Sequence, residues 1–473
     1  MKTFFLRSFF VMSLFSVLIS FSLHAYPAEY DQKWKDVREM ERQGKPQSAI
    51  KIVDDIFRMA LADNHQPQML KSIEYGIRLT GRFAEDYQLK GIERIDLKMQ
   101  FFAPLSKMVL HALKADLYSS YYNSKRHIIL SRTPKTSQER PEDIKTWDQT
   151  HFADAIFEEY KASLADPHLL QSTPALSYAD ILTEDESLNK FRPTLYDILA
   201  HHALSFYKND EFLVSRPAER FEIDDPQMLD FASSFIKLEI ESKEQFSTKF
   251  HALKLYQEMI AFHIDDEDPA ALVDLDLDRL SFVMMHANLE NKQKIYLHTL
   301  EQMEAKYIGH EAITEVYHKL AEYYVYSSSK YNALISDEHQ RDLIIAVQYC
   351  ENAINEFPDA YGTALCKVLL RQVKQKSVIS NLDYANIPAQ HILTSVVFKN
   401  VSSLYIRIIP VDPLDDRIFR RNHRTEELIE RYRSIRPDKQ WTVEIPYEND
   451  YHQHRTEIAI PPLPEGYYCL MIA

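Results

Sequence analysis

Glycine is scarce in this sequence, with only 7 among 473 residues. Doubly wound folds, barrels and phosphate-binding loops use glycine for tight turns and close backbone approaches, whereas packed pairs of helices need little of it. The scarcity therefore favours a mostly helical protein. A chain of this length can bury several cores, so we expect two to four domains.

The charge balance argues against one class of partner. The formal net charge is −15 at pH 7, and no dense basic tract occurs along the chain. Nucleic-acid binding depends on clustered Lys and Arg, so we expect protein partners and no nucleic acid. No small-molecule substrate is evident, and the acidity indicates a soluble, mutually repulsive surface.

The first 25 residues have the pattern of a signal peptide. Lys2 and Arg7 precede an apolar stretch over 9–23, and the small residue Ala25 comes shortly after it. The stretch is short for a membrane span and lacks the flanks of one. We expect export to the periplasm or cell envelope, with the mature chain starting near Tyr26. An uncleaved anchor is the alternative.

Residues 26–380 have mostly helical periodicity. The clearest pair of helices precedes and follows a polar loop near residue 335, and its spacing resembles a tetratricopeptide repeat. The residues that carry the spacing are Leu320, Ala321, Tyr324, Ala346, Cys350, Ala353 and Pro358. Because the loop is longer than a regular repeat permits, the unit is degenerate. We predict an array of antiparallel helical hairpins.

From about residue 385 the apolar period changes to two. Five segments have the alternation and composition of strands, namely 394–400, 403–411, 440–447, 456–462 and 466–473. A short charged helix is predicted over 424–438, between the second and third strands. Helices followed by strands indicate a second, all-β region over 385–473, which we predict to be an antiparallel sandwich. The terminal strand should have at most one neighbour, so we expect an incomplete sandwich and a truncated chain.

Paired histidines are the first candidates for a metal or catalytic site. His201 and His202 are adjacent on a predicted helix, with Asp197 one turn earlier, which favours packing or an Asp–His pair over a metal site. His452 and His454 share one side of an extended segment near Glu448 and Asp450. Two histidines in this arrangement can bind a metal, but a solvated loop is the commoner case.

The remaining motifs fail on geometry. His310 and His318 are eight residues apart where a helical zinc pair needs four, and 76–83 lacks the Lys and Ser or Thr of a phosphate loop. The acidic run 265–276 lacks the central glycine of a calcium loop. Three cysteines, Cys350, Cys366 and Cys469, allow one disulfide at most and match no zinc spacing. We therefore predict no catalytic, cofactor-binding or metal-binding residue and no enzymatic activity.

Several stretches together resemble one family. They are 30–51, 143–164, 191–207 and 253–283, continued by the unit around Ala346 and by the strand segment 396–408. Their order is similar to the helical N-terminal region of the large secreted alpha-2-macroglobulin-like proteins of Bacteroidetes-type bacteria. The resemblance implies a macroglobulin or immunoglobulin-like sandwich after the helices. It also implies that the parent protein traps proteases through a thioester formed in a Cys-Gly-Glu-Gln motif.

The cysteines depart from that pattern. Cys350 is followed by Glu-Asn-Ala, Cys366 by Lys-Val-Leu and Cys469 by Leu-Met-Ile. No functional residue of the family can therefore be assigned to this chain. We expect a non-enzymatic N-terminal scaffold segment of an exported endopeptidase inhibitor, which meets proteases through the full-length parent. The alternative is a free-standing exported helical-repeat module that binds a peptide or protein in its concave face.

Overall fold

A computed structural model describes residues 28–132, 140–179, 181, 190–209, 220–446 and 449–473. The predicted signal peptide lies outside these residues. The described part contains helices up to Lys374 and strands from Ser377 onwards, apart from two helices between strands. The prediction of a mainly helical protein followed by a smaller β region is confirmed at this level. The chain forms two compact units, of which the first runs to Asp166 and also holds Tyr178.

The first unit contains six α-helices among its described residues. They are α1 (Ala28–Arg42), α2 (Pro46–Ala62), α3 (Gln66–Thr80), α4 (Tyr87–Lys98), α5 (Pro104–Leu130) and α6 (Gln149–Ser163). Consecutive helices in the series α1 to α6 pack on each other. In α2 the buried side chains Ala49, Val53, Ile56 and Ala60 recur every three or four residues, which is the spacing of one helix face. Proline occupies the first turn of α2, α3 and α5. Because N–H groups in the first turn have no partner within the helix, the missing N–H of proline costs no hydrogen bond there.

The second unit begins at Pro167, and its described part continues the helical series. Its helices are α7 (Pro167–Gln171), α8 (Leu195–Tyr207), α9 (Ala232–Phe235), α10 (Thr248–His263), α11 (Ala270–His286), α12 (Lys292–Tyr307), α13 (Ile313–Ser328), α14 (Asp342–Glu356) and α15 (Tyr361–Lys374). Helices α13, α14 and α15 contact one another. The small residues Ala346, Cys350 and Ala353 are buried in this contact, as close packing requires.

In the described part of the chain, six strands form two antiparallel sheets. The strands are β1 (Ser377–Asn381), β2 (Ile392–Lys399), β3 (Ser403–Pro410), β4 (Lys439–Glu444), β5 (His454–Ile460) and β6 (Tyr468–Ile472). Their order is β1-β2-β5 in one sheet and β4-β3-β6 in the other. Each of the five predicted segments overlaps one strand, and three of these strands begin one or two residues earlier than predicted. The sixth, β1, was not predicted, because it is short, lies at a sheet edge and directly follows a helical pattern.

The two sheets share one apolar core. Val396 and Phe398 from β2 meet Leu404 and Ile406 from β3 in a buried cluster that also contains Ile445 and Ile458. The β2 and β3 residues alternate along their strands, so each strand directs one face inward. Two helices, α16 (Pro413–Asn422) and α17 (Thr425–Ser434), connect β3 to β4 where one was predicted.

Side-chain contacts join the β region to the last helices of the second unit. The amide nitrogen of Asn400 donates hydrogen bonds to the carbonyl oxygens of Val373 (2.9 Å) and Gln375 (3.0 Å). His452 Nε2 lies 3.1 Å from the carbonyl oxygen of Gln340. The ring of Tyr451 packs against the apolar cluster between α14 and α15. The β region is therefore attached to the last helices by both hydrogen bonds and apolar contacts.

Candidate functional site

Of the two roles expected for His201, packing or a pair with Asp197, the pair is not formed. One oxygen of the Asp197 carboxylate accepts hydrogen bonds from the backbone N–H (2.9 Å) and the hydroxyl (2.7 Å) of Thr194. Its other oxygen lies 2.8 Å from Nε2 of His263, 66 residues away. Burial and the nearby Arg192 lower the pKa of His201 to about 4, so its ring is neutral at pH 7. His201 therefore has a packing role.

The buried ring of His263 is within hydrogen-bond distance of two carboxylates. Its Nδ1 lies 2.7 Å from Asp266, and its second nitrogen contacts Asp197. Burial opposes a charge on the ring, but the hydrogen bonds to both carboxylates outweigh it and raise the pKa of His263. Because both nitrogens are engaged, the ring joins the end of α10 to the start of α8 and has no free position for catalysis.

The other histidine candidates do not converge. His454 Nε2 lies 2.9 Å from Asp450, whereas His452 turns towards the helical region. Glu448 lies outside the described residues. His310 accepts a hydrogen bond from its own loop, and His318 lies 3.8 Å from Glu322. Across the described residues, no group of three or more His, Cys, Asp or Glu side chains is arranged to hold a metal ion.

The first unit has an open groove among its described residues. It lies between α2 and α4 and has a volume of about 540 Å³. Helix α4 contributes Lys90, Arg94 and Lys98, which are four residues apart and therefore occupy successive turns of one helix face. The remaining lining residues are Asp54, Phe57, Arg58, Glu93 and Leu97.

Asp54 is the carboxylate at the centre of the groove. Its Oδ1 accepts a hydrogen bond from Arg94 at 2.5 Å and lies 3.6 Å from the Lys98 ammonium. The Lys98 nitrogen also lies 3.8 Å from the centre of the Phe57 ring, a cation–π geometry. One carboxylate is therefore shared by two cations. Among the described residues, no carboxylate lies within ion-pair distance of the third cation, Lys90.

Gly76 in α3 makes the position of Arg94 possible. A Cβ atom at Gly76 would lie 2.7 Å from Cζ of Arg94, closer than van der Waals contact allows. The guanidinium therefore packs against the bare backbone of α3 and is directed into the groove, where only 17% of the Arg94 side chain is exposed. Gly76 falls in the segment 76–83, whose loop-like spacing belongs instead to the last turns of a helix.

The groove perturbs Lys98. Desolvation and the neighbouring Arg94 lower the pKa of Lys98 to about 8, although Asp54 acts in the opposite direction. With four cationic and two anionic lining residues, the groove is locally basic on an acidic protein. A partly desolvated cation with too few counter-ions favours an anionic ligand. The arrangement is suited to binding an anion.

The cationic groove was not predicted from the sequence, because its basic residues are not contiguous. The signal that would have found it is the spacing of Lys90, Arg94 and Lys98 on a predicted helix. The spacing alone places the three cations on one face. It does not say that α2 supplies a single counter-ion opposite them.

No family model and no curated protein matches the chain.

Within the described residues, no helix combines the length and apolar character needed to cross a membrane. All three cysteines are buried free thiols, and the Cys366 thiol donates to the carbonyl oxygen of Thr314 at 3.9 Å.

Proposed function

We propose that this chain is an exported, non-enzymatic scaffold that holds protein partners. In its specific form, the helical array and a macroglobulin-type sandwich constitute the N-terminal part of an alpha-2-macroglobulin-like protease inhibitor. The order of helices before antiparallel sheets, the shared core of the two sheets and the resemblance of the segments named above support this proposal. The thioester chemistry of such inhibitors has no counterpart among Cys350, Cys366 and Cys469.

The joint between α15 and the sheets carries the proposal. Asn400 has a positive φ of 57°, a conformation that Asn tolerates better than most residues, and its side chain bonds to the end of α15. Tyr451 and His452 add a second attachment on α14 and the segment before it. A β region that is fastened at two points is a fixed extension of the helices, which is what a scaffold requires.

The alternative is a free-standing exported module of helical repeats that binds a peptide or protein. The groove between α2 and α4 favours it, because this site is built within the first unit. Both forms of the proposal share a binding role without catalysis. They differ in whether the β region positions further domains.

The test is a distance measurement between the helices and the sheets. Spin labels at the exposed positions Asn355 and Glu457 should give a narrow distance distribution in solution. Asn400→Ala should broaden it, whereas Asn386→Ala, which removes an amide within an exposed loop, should leave it unchanged. A broad distribution in the unaltered chain would contradict the fixed extension.

A second assay addresses chemistry. The purified chain is incubated with serine and cysteine proteases and a protein substrate, and hydrolysis and adduct formation are followed. We expect unchanged hydrolysis rates and no adduct that survives denaturing electrophoresis, because no cysteine has the thioester context. Saturable inhibition, or a covalent adduct, would overturn the view that trapping chemistry is missing.

A further inference from the structure

We propose that the groove between α2 and α4 binds an acidic peptide segment of a partner protein through Lys90, Arg94 and Lys98. This inference deepens the proposed scaffold function and names the chemistry of one partner. It rests on charge, spacing and the exposed surface of the groove. All the residues involved are described and lie in the first unit.

The spacing of the cations matches an extended peptide. Residues four apart on a helix rise by about 6 Å along its axis. Alternate residues of an extended chain are about 6.6 Å apart and face the same side. Two or three carboxylates at alternate positions can therefore lie opposite Lys90, Arg94 and Lys98 at the same time.

The cations have bonding capacity left for such a ligand. Within the described structure, Arg94 hydrogen-bonds through one terminal nitrogen only, to Asp54. Lys98 has the same carboxylate and an aromatic face as its partners. Lys90 is exposed and has no carboxylate in ion-pair distance among the described residues. The terminal nitrogen of Arg94 that Asp54 does not use can donate one charge-assisted hydrogen bond to a peptide carboxylate.

An apolar contact lies beside the cations. The Leu97 side chain is 66% exposed and lines the groove next to Lys98. A leucine two residues after the last acidic residue would cover it, because alternate side chains of the peptide face the helix. The pattern Glu-x-Glu-x-Leu therefore fits the groove.

The alternative polyanion, a nucleic acid, fits less well. Nucleic-acid binders contact many phosphates, about 6–10 in strongly salt-dependent cases. In this groove helix α4 offers three cations, two of which share Asp54, on a protein of formal net charge −15. A short acidic peptide needs no more than these three.

Fluorescence anisotropy tests the inference. The probes are a labelled peptide Glu-Ala-Glu-Ala-Leu, the same peptide with Gln in place of Glu, and a labelled single-stranded oligonucleotide. We expect the acidic peptide to bind with a dissociation constant on the order of 0.1–1 mM, weakened by salt as exposed ion pairs are. The Gln peptide should bind at least about tenfold more weakly, since a tenfold change is about 1.4 kcal/mol.

Three variants locate the binding. Arg94→Gln and Lys98→Met should each weaken the acidic peptide about five- to tenfold, within the range of charge-assisted hydrogen bonds. Gly76→Ala keeps every charge and improves helix propensity, yet displaces the Arg94 guanidinium, so it should weaken binding without lowering stability. The matched control is Arg42→Gln, which removes an exposed charge from α1 and should not change binding.

Several results would overturn the inference. They are equal binding of the Glu and Gln peptides, unchanged affinity in Arg94→Gln, tighter binding of the oligonucleotide than of the peptide, and no binding up to about 1 mM, the limit of a useful affinity. Failure here is distinguishable from failure of the scaffold proposal. The distance measurement between the helices and the sheets does not involve the groove.

Discussion

Replacing Arg279 should destabilise the second unit more than any surface substitution. The Arg279 side chain is fully buried and lies in α11. Its Nε donates a hydrogen bond to Asp276 at 2.7 Å, and its terminal nitrogens donate to the carbonyl oxygens of Met228 (2.6 Å) and Asp230 (2.8 Å). Its guanidinium also lies 4.2 Å from the ring centre of Phe235. One side chain therefore holds the segment 226–235 against α11.

The expected loss of stability follows from the polar groups that Arg279→Met leaves unpaired. Methionine fills most of the volume, so the cavity is small, but Asp276 remains 1% exposed and loses its cation. Breaking a buried ion pair by removing one partner costs about 3–5 kcal/mol. Two backbone carbonyls lose a charged donor as well, which raises the expected loss to about 4–6 kcal/mol. This is comparable to the whole stability of many domains.

The loss should depend on pH. Burial already raises the pKa of Asp276 although Arg279 acts in the opposite direction, so removing Arg279 should raise it further above that of the unfolded chain. A raised folded pKa gives stability that is present at low pH and is lost as the pH rises through that pKa. The difference between Arg279→Met and the unaltered protein should therefore shrink as the pH falls towards about 4, the ordinary range of Asp.

Hydrogen exchange measured by mass spectrometry and urea denaturation together test this reasoning. In Arg279→Met, peptides covering 226–240 should lose protection, whereas peptides from α2 in the first unit serve as the internal reference. The double variant Asp276→Leu with Arg279→Met should recover most of the stability, because an apolar pair replaces the buried charges. A loss below about 1 kcal/mol, typical of a surface substitution, or a double variant less stable than the single one, would refute it.

Three further predictions concern single positions. Gly362→Ala should cost more than about 2 kcal/mol in urea denaturation despite better helix propensity, because its Cβ would lie 2.3 Å from the backbone carbon of Thr314; an unchanged midpoint would contradict this. His263→Gln should be most destabilising below about pH 6.5 and progressively less so as the pH rises through the raised pKa of His263, since only the charged ring pairs with both carboxylates; a constant difference across the pH range would disagree. Lys98, whose pKa is about 8, should react with an amine-directed reagent at pH 8 before other lysines such as Lys51, as mapped by mass spectrometry, and equal labelling of the two would count against the perturbed pKa.

Local patterns in the sequence predict most of the elements. The alternation over 394–400 and 403–411 is visible without a structure, because a strand with one buried face must alternate. Apolar residues that recur every three or four positions identify α2 in the same way. The short edge strand β1 was not predicted. Its five residues directly follow a helix and are too few to show a helical or a strand period.

Contacts between residues far apart in the sequence were not predicted for a different reason. A pair of Asp197 with His201 in its own helix was one of two expectations, beside packing of His201. Asp197 instead contacts His263, and nothing in the spacing of 66 residues marks that contact. The same holds for Arg279, whose acceptors Met228 and Asp230 are backbone oxygens of another segment. Backbone acceptors carry no sequence signal, since every residue has one.

The sequence by itself determined the class of the two regions and the face on which Lys90, Arg94 and Lys98 lie. Helical and strand periods are properties of neighbouring residues, so they can be recognised before the chain folds. Only the tertiary structure decided that this face meets α2, that Asp54 is the one counter-ion shared by Arg94 and Lys98, and that Gly76 leaves room for a guanidinium. Charge and desolvation depend on which helices pack together, and that packing places the three cations in one groove beside Asp54.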